Sequence, residues 1–131
     1  MAQAVPNHGQ FRLGSFLLAS DGLALLDWDT LCMAPREADA GRMLADLTRL
    51  RLRFPLAAAA MEQARADFLR GYEQEGPELA SDALAAYESF WLLKDLMRDV
   101  TNKPARRWHV YAQALLQAVE RLLAREPERG M

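Results

Sequence analysis

Two short apolar runs near the start of the chain, separated by an Asp-Gly turn signal, place the strongest constraint on its fold. The runs cover residues 16–18 and 23–26, and Asp21-Gly22 lies between them. An Asp-Gly pair in this setting is typical of a β-hairpin, because glycine tolerates the positive φ of a tight turn. A lone hairpin is only marginally stable in water, so this one must pack on other elements. No other segment indicates a strand.

The rest of the chain has the apolar spacing of helices. This spacing predicts helices over residues 36–53 and 56–72, the second of them rich in alanine. After the break at Gly76-Pro77, a third helix is predicted from Ser81, which is a favourable N-cap residue, to Val100. A break over residues 101–104, where Pro104 suits the first turn of a helix, precedes a fourth helix, which is marked by Trp108, Tyr111, Leu115, Val119 and Leu122. The predicted fold class is therefore mainly α, with one short β-hairpin near the N-terminus.

Side chains on two of the predicted helices form charged and apolar faces. The charged faces contain Arg42, Arg49 and Arg53 on the first helix, and Glu88, Asp95 and Asp99 on the third. Both are interpreted as solvated, as charged faces of helices usually are, and a ligand-binding role is the alternative for each. An apolar stripe on the third helix, which includes Phe90, Met97 and Val100, is interpreted as core.

Length and charge limit the class of protein. With 131 residues the chain suits a single domain, 1–131, and its net charge of −2 argues against nucleic acid as a partner. No apolar run approaches the length that spans a bilayer, and no leader pattern precedes Pro6, so no membrane association is expected. Cys32 is the single cysteine, which favours a reducing compartment, and we expect the protein to be cytoplasmic.

The segment around the hairpin carries the chemical motif. It begins His8-Gly9-Gln10, has Ser15 five residues after Gln10, and continues beyond the hairpin as Leu25-Leu26-Asp27-Trp28-Asp29. In protein kinases, a catalytic-loop Asp accepts the hydroxyl proton, an Asn five residues later binds metal, and an Asp beyond a hairpin binds the metal that bridges the phosphates. Gln10, Ser15 and Asp27 occupy these three positions here.

This arrangement resembles the aminoglycoside phosphotransferase and choline kinase-like family, whose loop reads His-Gly-Asp, four residues, Asn. Residues 34–40 are similar to the family's Asp-Pro-x-x-Asp-Leu segment, and residues 68–72, Phe-Leu-Arg-Gly-Tyr, are similar to its Phe-Leu-x-Gly-Tyr. The resemblance covers nearly the whole chain. It implies the helical C-terminal lobe of a kinase-like phosphotransferase, with a catalytic loop and hairpin over residues 7–29 and a helical subdomain over 35–125.

The resemblance also implies roles for individual residues and for cofactors. Asp27 would be the metal ligand, with Ser15 as a weak second ligand, and Mg²⁺ and ATP would be the cofactors. Asp39 would brace the catalytic loop, His8 would be structural, and Asp29 would either support Asp27 or be simply exposed. Gln10 stands at the general-base position but has no titratable proton. Such a loss costs about a hundredfold to ten-thousandfold in rate.

Within the sequence, no Gly-rich phosphate loop precedes His8, and the only lysines, Lys94 and Lys103, lie in the helical region. We therefore predict a C-terminal lobe that is non-catalytic by itself, a pseudokinase or a truncated form. One alternative is an active ATP-dependent phosphotransferase of a small hydroxylated substrate, completed by an N-lobe on another chain. A second alternative is a helical protein-interaction domain. The expected partner is an N-lobe chain or a second copy, bound through the uncovered face of the lobe.

Overall fold

The computed structural model describes residues 3–102 and 108–124. The strands in this part of the chain are β1 (Ala4–Asn7), β2 (Phe16–Ala19), β3 (Gly22–Leu25) and β4 (Cys32–Pro35). The helices are α1 (Glu37–Arg53), α2 (Ala58–Gln74), α3 (Ser81–Asn102) and α4 (Trp108–Leu123), with 3₁₀ turns at Leu13–Ser15, Trp28–Thr30 and Pro55–Ala57. The prediction of a mainly helical fold with an N-terminal hairpin is confirmed. None of the described helices is both long enough and apolar enough to cross a membrane.

The predicted hairpin is formed by β2 and β3. The strands are antiparallel, with Phe16 opposite Leu25 and Ala19 opposite Gly22. The two-residue turn is therefore Ser20-Asp21, one residue earlier than the Asp-Gly signal indicates, and Gly22 opens β3. The Leu26 amide donates to the Ser15 carbonyl at 2.8 Å, which continues the pairing one step beyond the hairpin.

A second antiparallel pair, β1 with β4, contradicts the expectation that no other segment forms a strand. Asn7 lies opposite Cys32 and Ala4 lies opposite Pro35. Each strand contains a proline, which lowers strand propensity, and a two-stranded pair tolerates proline because each strand has an open edge. The Asn7 side-chain amide donates to the Ala34 carbonyl at 2.9 Å and so fastens the two strands together.

Helix α1 is the centre of the helical part and packs against α2, α3 and α4. Every residue from 39 to 48 is buried. Ala45 of α1 joins Leu92 of α3 and Leu115 of α4 in the apolar core. At Gly41, an added Cβ would lie 2.5 Å from the Tyr87 Cβ, so the absence of a side chain there sets how closely α1 and α3 approach.

Charged residues predicted to face solvent are instead buried between helices. Arg42 is 1% exposed and pairs with Asp95, 2% exposed, at 3.3 Å, and Arg49 pairs with the same carboxylate at 3.0 Å. Glu88 is 1% exposed and accepts two 2.7 Å hydrogen bonds from Arg65. Burial lowers the pKa of the Arg42 guanidinium, and Asp95 opposes that shift. The solvated-face interpretation is wrong for these residues because partners on neighbouring helices offset the cost of burying their charges.

Part of the apolar stripe of α3 points outward. Phe90 is 55% exposed and Met97 is 71% exposed, whereas Glu88, Leu92 and Asp95 turn toward α1. The interpretation of this stripe as core is wrong for Phe90, Met97 and Val100, which are exposed, whereas Trp91 of the same stripe packs partly buried against the core. The predicted break over residues 101–104 begins later than expected, since Thr101 and Asn102 are still helical. Lys103 and Pro104 lie outside the described residues.

Replacing Gly41 with alanine tests the close approach of α1 and α3. We expect Gly41→Ala to lower the free energy of unfolding by about 1–3 kcal/mol, because the new methyl group overlaps Tyr87. Gly71→Ala is the matched control. No atom lies within 4 Å of its Cβ position in α2, so the helix preference of alanine should raise stability by about 0.5–1 kcal/mol. Urea unfolding measures both changes, and effects of the same sign would contradict the packing argument.

Removing the charge of Asp95 tests the buried ion pairs. Asp95→Asn should lower the free energy of unfolding by about 3–5 kcal/mol, because it leaves Arg42 charged and without compensation in the interior. Among the described residues Asp99 pairs with Arg49, at 3.5 Å on the helix margin, so Asp99→Asn should cost less than about 1 kcal/mol. Equal losses of unfolding free energy in chemical denaturation would mean that the buried ion pair contributes no more stability than the marginal one.

Candidate functional site

A buried carboxylate holds the loop over residues 8–15, here called the 8–15 loop. Asp39, in the first turn of α1, accepts hydrogen bonds from the backbone amides of His8 at 2.6 Å and Gly9 at 3.0 Å. Its own backbone amide donates to the side chain of Asn7 at 3.1 Å. Hydrogen bonds to an ionised acceptor are stronger than neutral ones, and the α1 N-terminus favours a negative charge. The start of the loop is therefore fixed to the start of α1.

Both ring nitrogens of His8 are engaged. Nε2 lies 2.6 Å from the Leu26 carbonyl, and Nδ1 accepts from the Gln10 amide at 3.2 Å. This pattern assigns the proton to Nε2 in a neutral ring, because Nδ1 must offer a lone pair. The residue is 3% exposed, and the Trp28 ring packs edge-on at 4.8 Å. His8 thus links the loop to the end of β3 and offers solvent no free nitrogen.

Gly9 is needed for two reasons. Its φ is +87°, in the left-handed region that favours glycine. An added Cβ would also lie 2.2 Å from the Thr30 carbonyl oxygen. The Thr30 hydroxyl donates to the His8 carbonyl at 2.9 Å, so the loop and the turn after β3 are held in direct contact.

The two positions that the motif assigns to chemistry are joined to each other. The Ser15 hydroxyl donates to the Gln10 carbonyl at 2.8 Å, and Ser15 is 2% exposed. Between them, the Leu13 amide donates to the Asp46 carboxylate at 2.9 Å. Sequence reasoning missed Asp46, although it lies two helical turns after Asp39 and so on the same face of α1.

Asp27 occupies a bend at the end of β3. It is the one non-glycine residue with positive φ, +62°, in the described ranges 3–102 and 108–124. Asp is among the residues that tolerate the left-handed region. Both Asp27 and Asp29 are exposed, whereas the expected second ligand, Ser15, is buried and its hydroxyl donates within the loop.

These positions decide how well a magnesium ion fits. Mg²⁺ is usually held by one or two carboxylates together with substrate phosphates and water. Asp27 can offer one exposed carboxylate, but Ser15 presents no oxygen to solvent. Within the described residues, no three His, Cys, Asp or Glu side chains converge as metal ligands. Among the described residues, Asp27 is therefore the one predicted ligand with an exposed oxygen, and these residues do not by themselves form a complete metal site.

A comparison with known families identifies the family to which the chain belongs. A family model described as the phosphotransferase enzyme family matches residues 2–87, a span that runs from β1 into α3. Because the match covers more than half of the 131 residues, the chain belongs to this family. The relationship predicted from the loop and hairpin motifs is confirmed. No curated protein matches the sequence.

Substitution of Asp39 tests the attachment of the loop to α1. Asp39→Asn keeps the shape but leaves one of the two loop amides without an acceptor, so we expect the free energy of unfolding to fall by about 1.5–3 kcal/mol. Asp29→Asn, at an exposed site, should change it by less than about 0.5 kcal/mol. Urea titrations followed by tryptophan fluorescence compare the two variants. A loss at Asp39 no larger than that at Asp29 would refute the bracing role.

Proposed function

We propose that this chain is the C-terminal lobe of a phosphotransferase-family protein and that it does not catalyse phosphoryl transfer by itself. The observation that carries the proposal is a contrast within the 8–15 loop. Its backbone is held by Asp39 and by His8, while the positions that would handle the proton and a metal ion hold Gln10 and Ser15. The loop thus keeps its architecture and has lost its reactive groups.

The side chain at the base position supports a non-catalytic loop. A general base must accept the hydroxyl proton of the acceptor, and the Gln10 amide has no lone pair basic enough to do so. His8 does not replace it, because Nδ1 already accepts a hydrogen bond and Nε2 faces the Leu26 carbonyl. The loop therefore has no group placed to take up that proton.

The side chain at the second metal position supports the same reading. Ser15 is nearly fully buried, and its hydroxyl is used to close the loop on the Gln10 carbonyl. Mg²⁺ binds oxygen ligands and keeps several water ligands of its own, so a protein ligand must lie where water can reach it. Ser15 serves the loop as a structural link.

A second candidate function rests on Asp27. The Asp27 carboxylate is exposed at a bend with left-handed backbone. This exposure supports a chain that binds Mg·ATP when an N-lobe on another chain completes the cleft. The exposed hairpin side chains support such a partner or a second copy, since Leu18 is 83% and Leu23 is 63% exposed. Phe16 and Leu25, which lie opposite each other in the same hairpin, are only partly exposed.

Mg·ATP turnover and binding test these two candidates together. The wild-type chain should release no γ-phosphate above the protein-free background, with or without a small hydroxylated acceptor. Turnover that Asp27→Asn abolishes would overturn the non-catalytic proposal. Asn is preferred to Ala at this position because it tolerates the left-handed backbone.

Calorimetric titration with Mg·ATP separates binding from chemistry. Saturable binding that Asp27→Asn removes and Asp29→Asn preserves would favour the second candidate. Binding that is equal in both variants would exclude the metal role of Asp27. Absence of binding by the wild-type chain alone agrees with the first proposal, and the second candidate then requires the titration to be repeated with an N-lobe chain present.

A further inference from the structure

A small cleft lies among the four helices, beside the C-terminal half of α1. Its volume is about 140 Å³, and α1 contributes Thr48 and Arg51, α2 contributes Arg65, α3 contributes Glu88 and α4 contributes Arg121. Two buried apolar residues of α4, Ala118 and Leu122, complete the lining. All four helices thus meet at one concave, strongly polar surface.

The lining has an excess of positive charge. Arg65 donates to both oxygens of Glu88 at 2.7 Å, and the Thr48 hydroxyl donates to the same carboxylate at 2.7 Å. Arg65 thus neutralises Glu88, and the lining holds two further guanidinium groups, those of Arg121 and of Arg51, whose ion-pair partner Glu62 lies outside the lining. Such an excess in a partly enclosed space attracts anions.

Arg51 forms a weak, solvent-exposed ion pair whose partner another anion can replace. One of its nitrogens reaches outward to Glu62 at 2.9 Å, and the Glu62 side chain is 62% exposed. Exposed ion pairs contribute little free energy, so an anion inside the cleft can compete for this guanidinium. Arginine also has five N–H donors, which leaves others for the cleft while one contacts Glu62.

We propose that this cleft binds a small phosphate-type oxyanion, either inorganic phosphate or the phosphoryl group of a small monoester. Arginine forks match the oxygen geometry of phosphate and form charge-assisted hydrogen bonds with it. The volume of about 140 Å³ corresponds to four or five waters at roughly 30 Å³ each. That space accommodates one phosphate group, with the cleft open to solvent on one side.

The site is separate from the 8–15 loop. Asp39, which holds the loop, lies in the first turn of α1, and Arg51 lies in its last turn. Twelve helical residues at 1.5 Å each place them roughly 18 Å apart along the helix axis. Phosphate binding here does not depend on the proposed function, and each can fail without the other.

Isothermal titration of the full chain with sodium phosphate, against sodium chloride at equal ionic strength, tests the proposal. We expect saturable binding of phosphate with no equivalent signal from chloride. Arg121→Gln and Arg51→Gln should each weaken the affinity by about tenfold or more, because each removes a charged donor. Arg70→Gln is the matched control, since Arg70 is an exposed arginine of α2 that pairs with Asp67 and does not line the cleft.

Glycerol phosphate as a second titrant identifies the source of the phosphoryl group. Tighter binding than inorganic phosphate assigns the cleft to a monoester, and equal or weaker binding assigns it to the free anion. Far-UV circular dichroism verifies that the arginine variants remain folded. The proposal is overturned if phosphate and chloride give the same response, or if the Arg121 and Arg70 variants bind phosphate equally well.

Discussion

The Asp39 carboxylate is the interaction on which the rest of the structure depends. It accepts hydrogen bonds from two consecutive loop amides. The backbone amide of Asp39 donates to Asn7, whose side chain fastens β1 to β4. One residue at the start of α1 therefore joins the loop, the outer strand pair and the helical core. These contacts join residues 27 to 32 positions apart in the sequence, which makes the N-terminal segment part of the helical fold.

The buried ion pairs determine how α3 is rotated against α1. The side of α3 that contains Phe90 and Met97 is apolar but faces solvent. Asp95 and Glu88 lie on the other side, where they meet Arg42 and Arg65. Leaving those arginines unpaired in the interior would cost more than exposing part of the stripe. We infer that charge pairing, together with the packing of Leu92 and Trp91 on the same face, selects the observed orientation.

Sequence patterns predicted the hairpin, the helices and the family, because these depend on local spacing and on short motifs. They missed β1 and β4, whose prolines hide the strand pairing. They also missed the burial of Arg42, whose partner Asp95 is 53 residues away and invisible to any local pattern. Asp46 escaped notice for a different reason. Its contact is with the Leu13 backbone amide, and a backbone donor has no signature in the sequence.

The outward stripe of α3 affects how the folded state of this protein is recognised in solution. Dyes that fluoresce on apolar surface are commonly used to detect partly folded, loosely packed states. With Phe90 and Met97 more than half exposed, the fully packed protein already offers such dyes a binding surface. Dye fluorescence is therefore an expected property of the native chain. Loss of near-UV circular dichroism is the signal that would mark a loosely packed state.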